Sequence, residues 1–305
     1  MALTADCYHI MAASGLLPTT FVHNVAAVVH LSDILERNGV HVMEILLRTP
    51  EAMSAIPAIK DRHPNMAVGA GTVLSIDQAA DAAAAGADFI VSPYYNQELV
   101  DWCVGHSMAV VPGVGTITEV SWGYASGLRT FKFFPGNQLG GAEGIRQISE
   151  IYADVRYIPT GGLGMKDLAA YSACPAVLAC GGTYMQPEEL LEAERWDAVE
   201  ALVRQAISIS LGLSVARLAG PCGQLAGVLA GLITPQPASA PSATEGDAPK
   251  LILHTNSAER AASYFRTYGF PSTVLTRNAL GIPTAIVLDD TLHGYRVQLE
   301  NRISS

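Results

Sequence analysis

The chain has 305 residues, half of them hydrophobic and 15% charged, which accommodates one large domain with a sizeable core and one small domain. Its formal net charge of -10 argues against non-specific binding to a phosphate backbone, yet permits an anionic small molecule, because a pocket's local field can oppose the global one. No apolar run reaches the roughly 18 residues that a membrane span needs, so no span is expected.

Residues 1–10 carry no basic stretch followed by a long apolar one, so no signal peptide is expected either. From residue 12 to 210, short apolar segments alternate with helical ones. Strands are predicted over 16–21, 42–47, 67–71, 89–92, 109–112, 130–134, 157–159 and 177–180. The helical stretches between them include 25–37, 76–85, 97–104, 117–126 and 142–152. Eight βα units in this length predict a small (β/α)₈ TIM barrel, with a doubly wound sheet as the alternative. Residues 185–232 read as largely helical, ending in an apolar segment over 216–233. Residues 234–249 are rich in Pro, Ala and Ser without a hydrophobic period and read as a linker. The remainder follows a strand, helix, strand, strand, strand order over 251–254, 257–268, 274–276, 285–288 and 295–299, with Asn256 or Ser257 as the helix N-cap. The expected division is therefore a barrel over 1–233, a linker over 234–249 and a small α+β (βαβββ) module over 250–305. The five cysteines (Cys7, Cys103, Cys174, Cys180, Cys222) contain no C-x-x-C pair and are odd in number. Free thiols in a cytoplasmic protein are expected rather than disulfides or structural zinc.

The chemistry centres on Phe131-Lys-Phe-Phe-Pro135. Only four lysines occur in the chain, and Lys132 is set among three aromatics in a predicted strand. Desolvation disfavours an ammonium in such surroundings, and a neutral amine there is a nucleophile toward carbonyls. The bland alternative is a lysine on the strand's wet face or one snorkelling past the rings. On the second strand, Glu44, Leu46 and Arg48 alternate and so are expected to point together into the barrel. Arg48 suits a substrate carboxylate and Glu44 a proton shuttle, unless the two simply form a buried ion pair. Other polar and glycine residues fall where barrel strands end, which is where barrels build their sites. They are Gly71-Thr72, Ser92-Pro93, Pro112-Gly113, Thr160-Gly161-Gly162 and Gly181-Gly182-Thr183. The last two lie in the loops after the seventh and eighth strands, where barrels commonly bind phosphate through backbone N–H groups.

Met43-Glu-Ile-Leu-Leu-Arg-Thr-Pro50, Gly69-Ala-Gly-Thr-Val-Leu74, Phe131-Lys-Phe-Phe-Pro135 and Pro159-Thr-Gly-Gly162 resemble, in order, the signatures of the 2-keto-3-deoxy-6-phosphogluconate/4-hydroxy-2-oxoglutarate aldolases. The resemblance spans about two thirds of the chain. It implies a class I aldolase needing no metal or organic cofactor, with Lys132 as Schiff-base lysine and Glu44 as general acid/base. It also implies that Arg48 and Thr72 bind the pyruvate moiety, Thr160 the sugar hydroxyls, and Gly161, Gly162, Gly182 and Thr183 the phosphate. Pro93 and Phe134 are further substrate-binding candidates, and the family's homotrimer is the expected assembly. The substrate it implies is a 2-keto-3-deoxy-6-phospho sugar acid, cleaved to pyruvate and an aldehyde. The alternatives are 4-hydroxy-2-oxoglutarate, the galactonate-derived isomer, and a non-catalytic keto-acid-phosphate sensor. Three departures from the family pattern bear on the aldehyde half: Gly136-Asn137 after the Phe-Phe-Pro, Tyr94-Tyr95 after Ser92-Pro93, and Pro18-Thr19-Thr20-Phe21 on the first strand. Tyr264-Phe-Arg-Thr-Tyr-Gly-Phe270 and Gly294-Tyr-Arg-Val-Gln-Leu299 resemble one βαβββ half of the vicinal-oxygen-chelate fold. In that likeness Lys250 and Gln298 stand where metal ligands would be, so the module is expected to be an accessory without a metal, and His254 a solvated or core histidine.

Overall fold

The structure, a computed structural model, describes residues 5–219, 250–292 and 295–302. It divides into two compact units, Met1–Ile207 and Ser208–Ser305.

The first unit is a (β/α)₈ barrel. Its strands are β1 (Leu16–Thr20), β2 (Val42–Leu46), β3 (Ala67–Gly71), β4 (Phe89–Val91), β5 (Ala109–Val111), β6 (Gly113–Val114), β7 (Thr130–Phe133), β8 (Arg156–Pro159) and β9 (Cys180–Gly182). They form two parallel runs, β5-β4-β3-β2-β1-β9 and β6-β7-β8. β5 and β6 are one barrel strand interrupted at Pro112, which has no N–H to give to a ladder but whose carbonyl accepts from Lys132 N at 3.0 Å. A single bridge between Tyr157 and Val177 joins β8 to the segment leading into β9, closing the circle. The last barrel strand thus starts three residues later, and ends two later, than its apolar run predicts. Ladder pairing with β1 starts at Cys180, opposite Leu16, and takes in Gly181 and Gly182.

Between the strands run α2 (Val25–Arg37), α3 (Ala52–Arg62), α4 (Ile76–Ala84), α5 (Gln97–Gly105), α6 (Ile117–Ala125), α7 (Gly141–Ser149), α8 (Leu168–Ser172), α9 (Glu188–Glu192) and α10 (Trp196–Leu211), with α1 (Ala5–Ser14) ahead of β1. Their starts are chemically marked. Asn24, Ser75 and Asn96 each accept N–H bonds from the first turn of their helix, and Thr116 with Glu119 forms a reciprocal capping box. The inward residues Leu17, Val42, Ala67, Phe89, Val91, Ala109, Val111 and Ile158 pack with Cys7 and Met11 of α1, which plugs one end of the barrel. Full burial of one such Leu, Ile or Phe stabilises by roughly 1.5–3 kcal/mol, so this layer is a rigid floor for whatever lies above it. No described helix is long and apolar enough to cross a membrane.

The second unit contains β10 (Ser214–Ala219), β11 (Lys250–Thr255), α11 (Ala258–Thr267), β12 (Ser272–Arg277), β13 (Pro283–Leu288) and β14 (Arg296–Asn301), in the sheet order β10-β11-β14-β13-β12. The cap of α11 is Ser257, whose side chain accepts from Arg260 N at 3.2 Å. One expectation is corrected here. The sequence pattern predicts helix through residues 214–219, but they pair antiparallel with β11, Val215 opposite Leu253 and Leu218 opposite Leu251. An Ala-, Arg- and Leu-containing segment has ample helix propensity; an available sheet edge overrides it. The unit therefore begins before residue 214, upstream of the boundary expected at 233. The rest of the apolar segment, the Pro/Ala/Ser-rich linker, Cys222 and Gly294 lie outside the described residues.

Candidate active site

Along β2, every second side chain points inward, so Val42 lies in the apolar floor and Glu44 stands one layer above it. Along β7 the same alternation turns Lys132 inward, in register with Gly113 on β6 and Ile158 on β8. The two side chains meet across the barrel: Lys132 Nζ lies 3.5 Å from Glu44 Oε1, with Lys132 4% exposed and Glu44 fully buried. A buried ion pair is costly to assemble unless its remaining atoms are used. Here Glu44 Oε2 has no hydrogen-bond partner and is left as a free acceptor in the barrel interior. Lys132 Nζ also sits 5.2 Å from the centre of the Phe134 ring, on its face.

The pair requires its glycine neighbour. A Cβ on Gly71 would stand 2.1 Å from Glu44 Oε1, so only glycine leaves room for the carboxylate. The next residue, Thr72, holds φ at 59°, a left-handed conformation costly for a β-branched side chain. That turn aims its hydroxyl at Arg48, whose Nε donates to Thr72 Oγ1 at 3.3 Å. Arg48 itself departs from expectation. β2 ends at Leu46, so the alternation stops short and Arg48 lies exposed in the following turn, its guanidinium 5.6 Å from the Phe21 ring. The charge that Glu44 meets is Lys132, and the Glu44–Arg48 ion pair is not formed.

The glycine loops lie at the same end of the barrel. Gly161 and Gly162 follow β8 with φ of 88° and 73°, and a Cβ on Gly161 would stand 2.7 Å from the Phe134 ring. Asn137 braces this loop: its Nδ2 donates to Gly162 O at 2.7 Å and to Asp167 Oδ2 at 3.2 Å, while Tyr171 donates to its Oδ1 at 2.8 Å. Thr160 is buried against Gly181, where a Cβ would stand 2.5 Å from Thr160 Oγ1. Gly182 ends β9 and Thr183 is exposed just beyond it. Pro93 packs so closely on β6 that a Cβ on Gly113 would stand 2.3 Å from its carbonyl. Of the other departures, Tyr94 is on the rim, its hydroxyl donating to Leu74 O at 3.4 Å, and the Tyr95 ring lies 6.0 Å from that of Trp122, tilted by 47°.

A cavity of about 300 Å³ opens where β1 and β9 end, lined by Thr19, Phe21, Thr183, Tyr184, Gln186 and Glu188 among others. Thr19 is the in-register neighbour of Glu44, which connects this cavity to the Lys132–Glu44 pair through adjacent inward positions. Thr19, Gln186 and Asn137 were not predicted as site residues. Thr19 and Asn137 stood among the noted departures, a usable signal; Gln186, in a segment read simply as helical, carried none.

The profile of the family described as KDPG and KHG aldolase matches residues 8–202. The chain is 39% identical over 194 residues to the 2-dehydro-3-deoxy-phosphogluconate aldolase of Treponema pallidum, covering 64% of this chain and 92% of that one. It is 35% identical over 198 residues to the KHG/KDPG aldolase of Escherichia coli K12, covering 65% and 93%. Among solved structures, a KDPG aldolase from Legionella pneumophila, with pyruvate captured at low pH as a covalent carbinolamine intermediate, superposes with a TM-score of 0.63 at 32% identity. That match covers 66% of this chain and 97% of that one.

Proposed function

Because this chain belongs to the family of 2-keto-3-deoxy-6-phosphogluconate (KDPG) and 4-hydroxy-2-oxoglutarate (KHG) aldolases, which are aldehyde-lyases, we propose that it cleaves a 2-keto-3-deoxy-6-phospho sugar acid to pyruvate and an aldehyde such as glyceraldehyde 3-phosphate, through a Schiff base on Lys132. The observation that carries this reading is the isolated buried pair: one amine and one carboxylate 3.5 Å apart, with the second carboxylate oxygen unpartnered.

Proton transfer from Lys132 to Glu44 within the pair yields the neutral amine, which attacks the C2 ketone to give a carbinolamine. Glu44 returns its proton to the departing hydroxyl, and loss of water leaves an iminium and the Glu44 carboxylate. The iminium withdraws electrons from the C3–C4 bond, which breaks as the C4 hydroxyl gives its proton to Glu44, directly or through water. The bonding electrons remain on C3 as an enamine. Protonation at C3 gives the pyruvate imine, and water releases pyruvate and the amine. Holding both groups in the rigid barrel wall replaces a chance encounter with a fixed approach. In this reading Arg48 and Thr72 grip the keto-acid carboxylate, an arrangement supported by their mutual hydrogen bond at the outer end of β2 and β3. Thr160 is assigned to the sugar hydroxyls, and Pro93 and Phe134 to the walls. The backbone N–H groups of Gly161, Gly162, Gly182 and Thr183 are assigned to the phosphate, a reading supported by the positive φ of Gly161 and Gly162 and by the absence of a Cβ at all three glycines, which permits close approach.

Borohydride reduction in the presence of pyruvate tests the central step. A pyruvate adduct on the Lys132 peptide is expected, and Lys132→Met should remove both the adduct and turnover. An adduct that forms elsewhere, or none in the native chain, overturns the assignment.

A further inference from the structure

The cavity at the ends of β1 and β9 has a one-sided chemistry. Gln186 lines it and is only 2% exposed. Its Nε2 donates twice, to Thr19 O at 3.1 Å and to Gly182 O at 3.2 Å, so both amide hydrogens are spent on carbonyls of the two flanking strands. These bonds fix which way the carboxamide faces, because a flipped amide would set its oxygen against two carbonyl oxygens. Its Oε1 is left buried with no partner. An unmet buried acceptor of this kind costs about 1–3 kcal/mol, and the cost is removed when a donor is delivered to it. The rest of the wall repeats the preference: Glu188 and Glu189 also line the cavity and offer only acceptor oxygens, Glu188 being shared with His23. A hydroxyl suits such a wall. A carboxylate has no hydrogen to give to Gln186.

Thr19, the register neighbour of Glu44, and Thr183, assigned above to the phosphate, both line this cavity, so in that assignment the part of a substrate that reaches it is the part between the two, beyond the bond being cleaved. The two substrates that the family's name joins differ there. In a 2-keto-3-deoxy sugar acid, C5 bears a hydroxyl; in 4-hydroxy-2-oxoglutarate, C5 is a carboxylate carbon. We infer that Gln186 is a specificity-determining residue that accepts a hydrogen bond from the C5 hydroxyl, so that this chain takes 2-keto-3-deoxy sugar acids in preference to 4-hydroxy-2-oxoglutarate. The inference rests on the aldolase reading above and names which of its substrate classes the site selects.

The test compares pyruvate release from four compounds: 2-keto-3-deoxygluconate, its 6-phosphate, the 5-deoxy analogue of that phosphate, and 4-hydroxy-2-oxoglutarate. The native chain should lose about 10–100-fold in kcat/KM when the C5 hydroxyl is removed, the range expected for leaving one buried acceptor unpaired. Gln186→Met, similar in length and without polar atoms, should show a matching loss on the hydroxylated sugar acids, with or without phosphate. It should leave the 5-deoxy analogue and 4-hydroxy-2-oxoglutarate nearly unchanged and keep the borohydride-trapped pyruvate adduct. Equal losses on all four compounds, or a native chain indifferent to the C5 hydroxyl, would overturn the inference. The comparison of substrates on the native chain reads this even if Gln186→Met fails to fold. A native chain that traps no pyruvate would instead remove the aldolase reading, and this inference with it.

Discussion

At the scale of residues, the site is one carboxylate and one amine whose roles depend on having few competitors. Glu44 is enclosed by Lys132 on one side and by the hydrogen-only face of Gly71 on the other. Glu44→Gln keeps the shape but removes the proton acceptor. The variant should still form the trapped pyruvate adduct, because Lys132, Arg48 and Thr72 remain. Its turnover should fall by roughly 10²–10⁴, the usual contribution of a positioned general acid/base. Single-turnover rates alongside borohydride trapping separate the two effects. Unchanged turnover would leave Glu44 as no more than the structural partner of Lys132, and a variant that unfolds would show that the pair holds the barrel together.

At the scale of elements, α10 is tied to α2 by one acidic hub. Glu200 accepts from Arg37, from Asn38 Nδ2 at 3.0 Å and from Arg204 at 2.9 Å. The bond to Arg37 is the main cause that holds its carboxyl down at about 2, against an ordinary 4.5, with Asn38 and Arg204 adding to it. A carboxyl depressed on folding stabilises the native state above its unfolded value, and that contribution fades as pH falls from 4.5 toward 2. Glu200→Gln should therefore lower stability at neutral pH by about 1–2 kcal/mol, solvent screening at this half-buried position keeping the figure modest. Urea midpoints compared at pH 7 and pH 3 should show the gap between variant and native chain narrowing. A gap of constant size would trace the loss to packing and not to charge.

At the scale of the whole molecule, the catalytic groups proposed here all belong to the unit Met1–Ile207, and β10 to β14 of the second unit form a sheet of their own. A chain ending at Gly212 should keep its pyruvate release per active site. One ending at Pro235 should behave worse, because it retains β10 while losing the β11 edge that pairs with it, and an unpaired strand promotes aggregation. Turnover and light scattering on the two truncations check this. A chain ending at Gly212 that stays folded yet inactive would mean that the second unit completes the site. For the full chain, the family resemblance sets the expected particle at three copies, and exposed apolar side chains such as Leu74, Tyr94, Ile117 and Trp122 suit contacts between them.

The barrel was legible in the sequence because its signals are local. Alternating apolar strands, Asn24, Ser75, Asn96 and Thr116 at helix starts, and glycines at strand ends each act within a few residues of where they stand in the chain. Lys132 was legible for a similar reason, since an amine set among aromatics in a buried strand is conspicuous without any partner in view. Its pairing with Glu44, 88 residues away, was decided only by the closing of the barrel, which brings β2 and β7 to face each other. Tertiary structure likewise ended β2 at Leu46 and left Arg48 in a turn, where strand alternation alone would have carried it inward. It turned residues 214–219 from a plausible helix into a strand, because the edge of β11 lies more than thirty positions further on. And it made Gln186 chemically one-sided: only the meeting of β1 with β9 supplies the two carbonyls that occupy its amide and leave its oxygen unanswered.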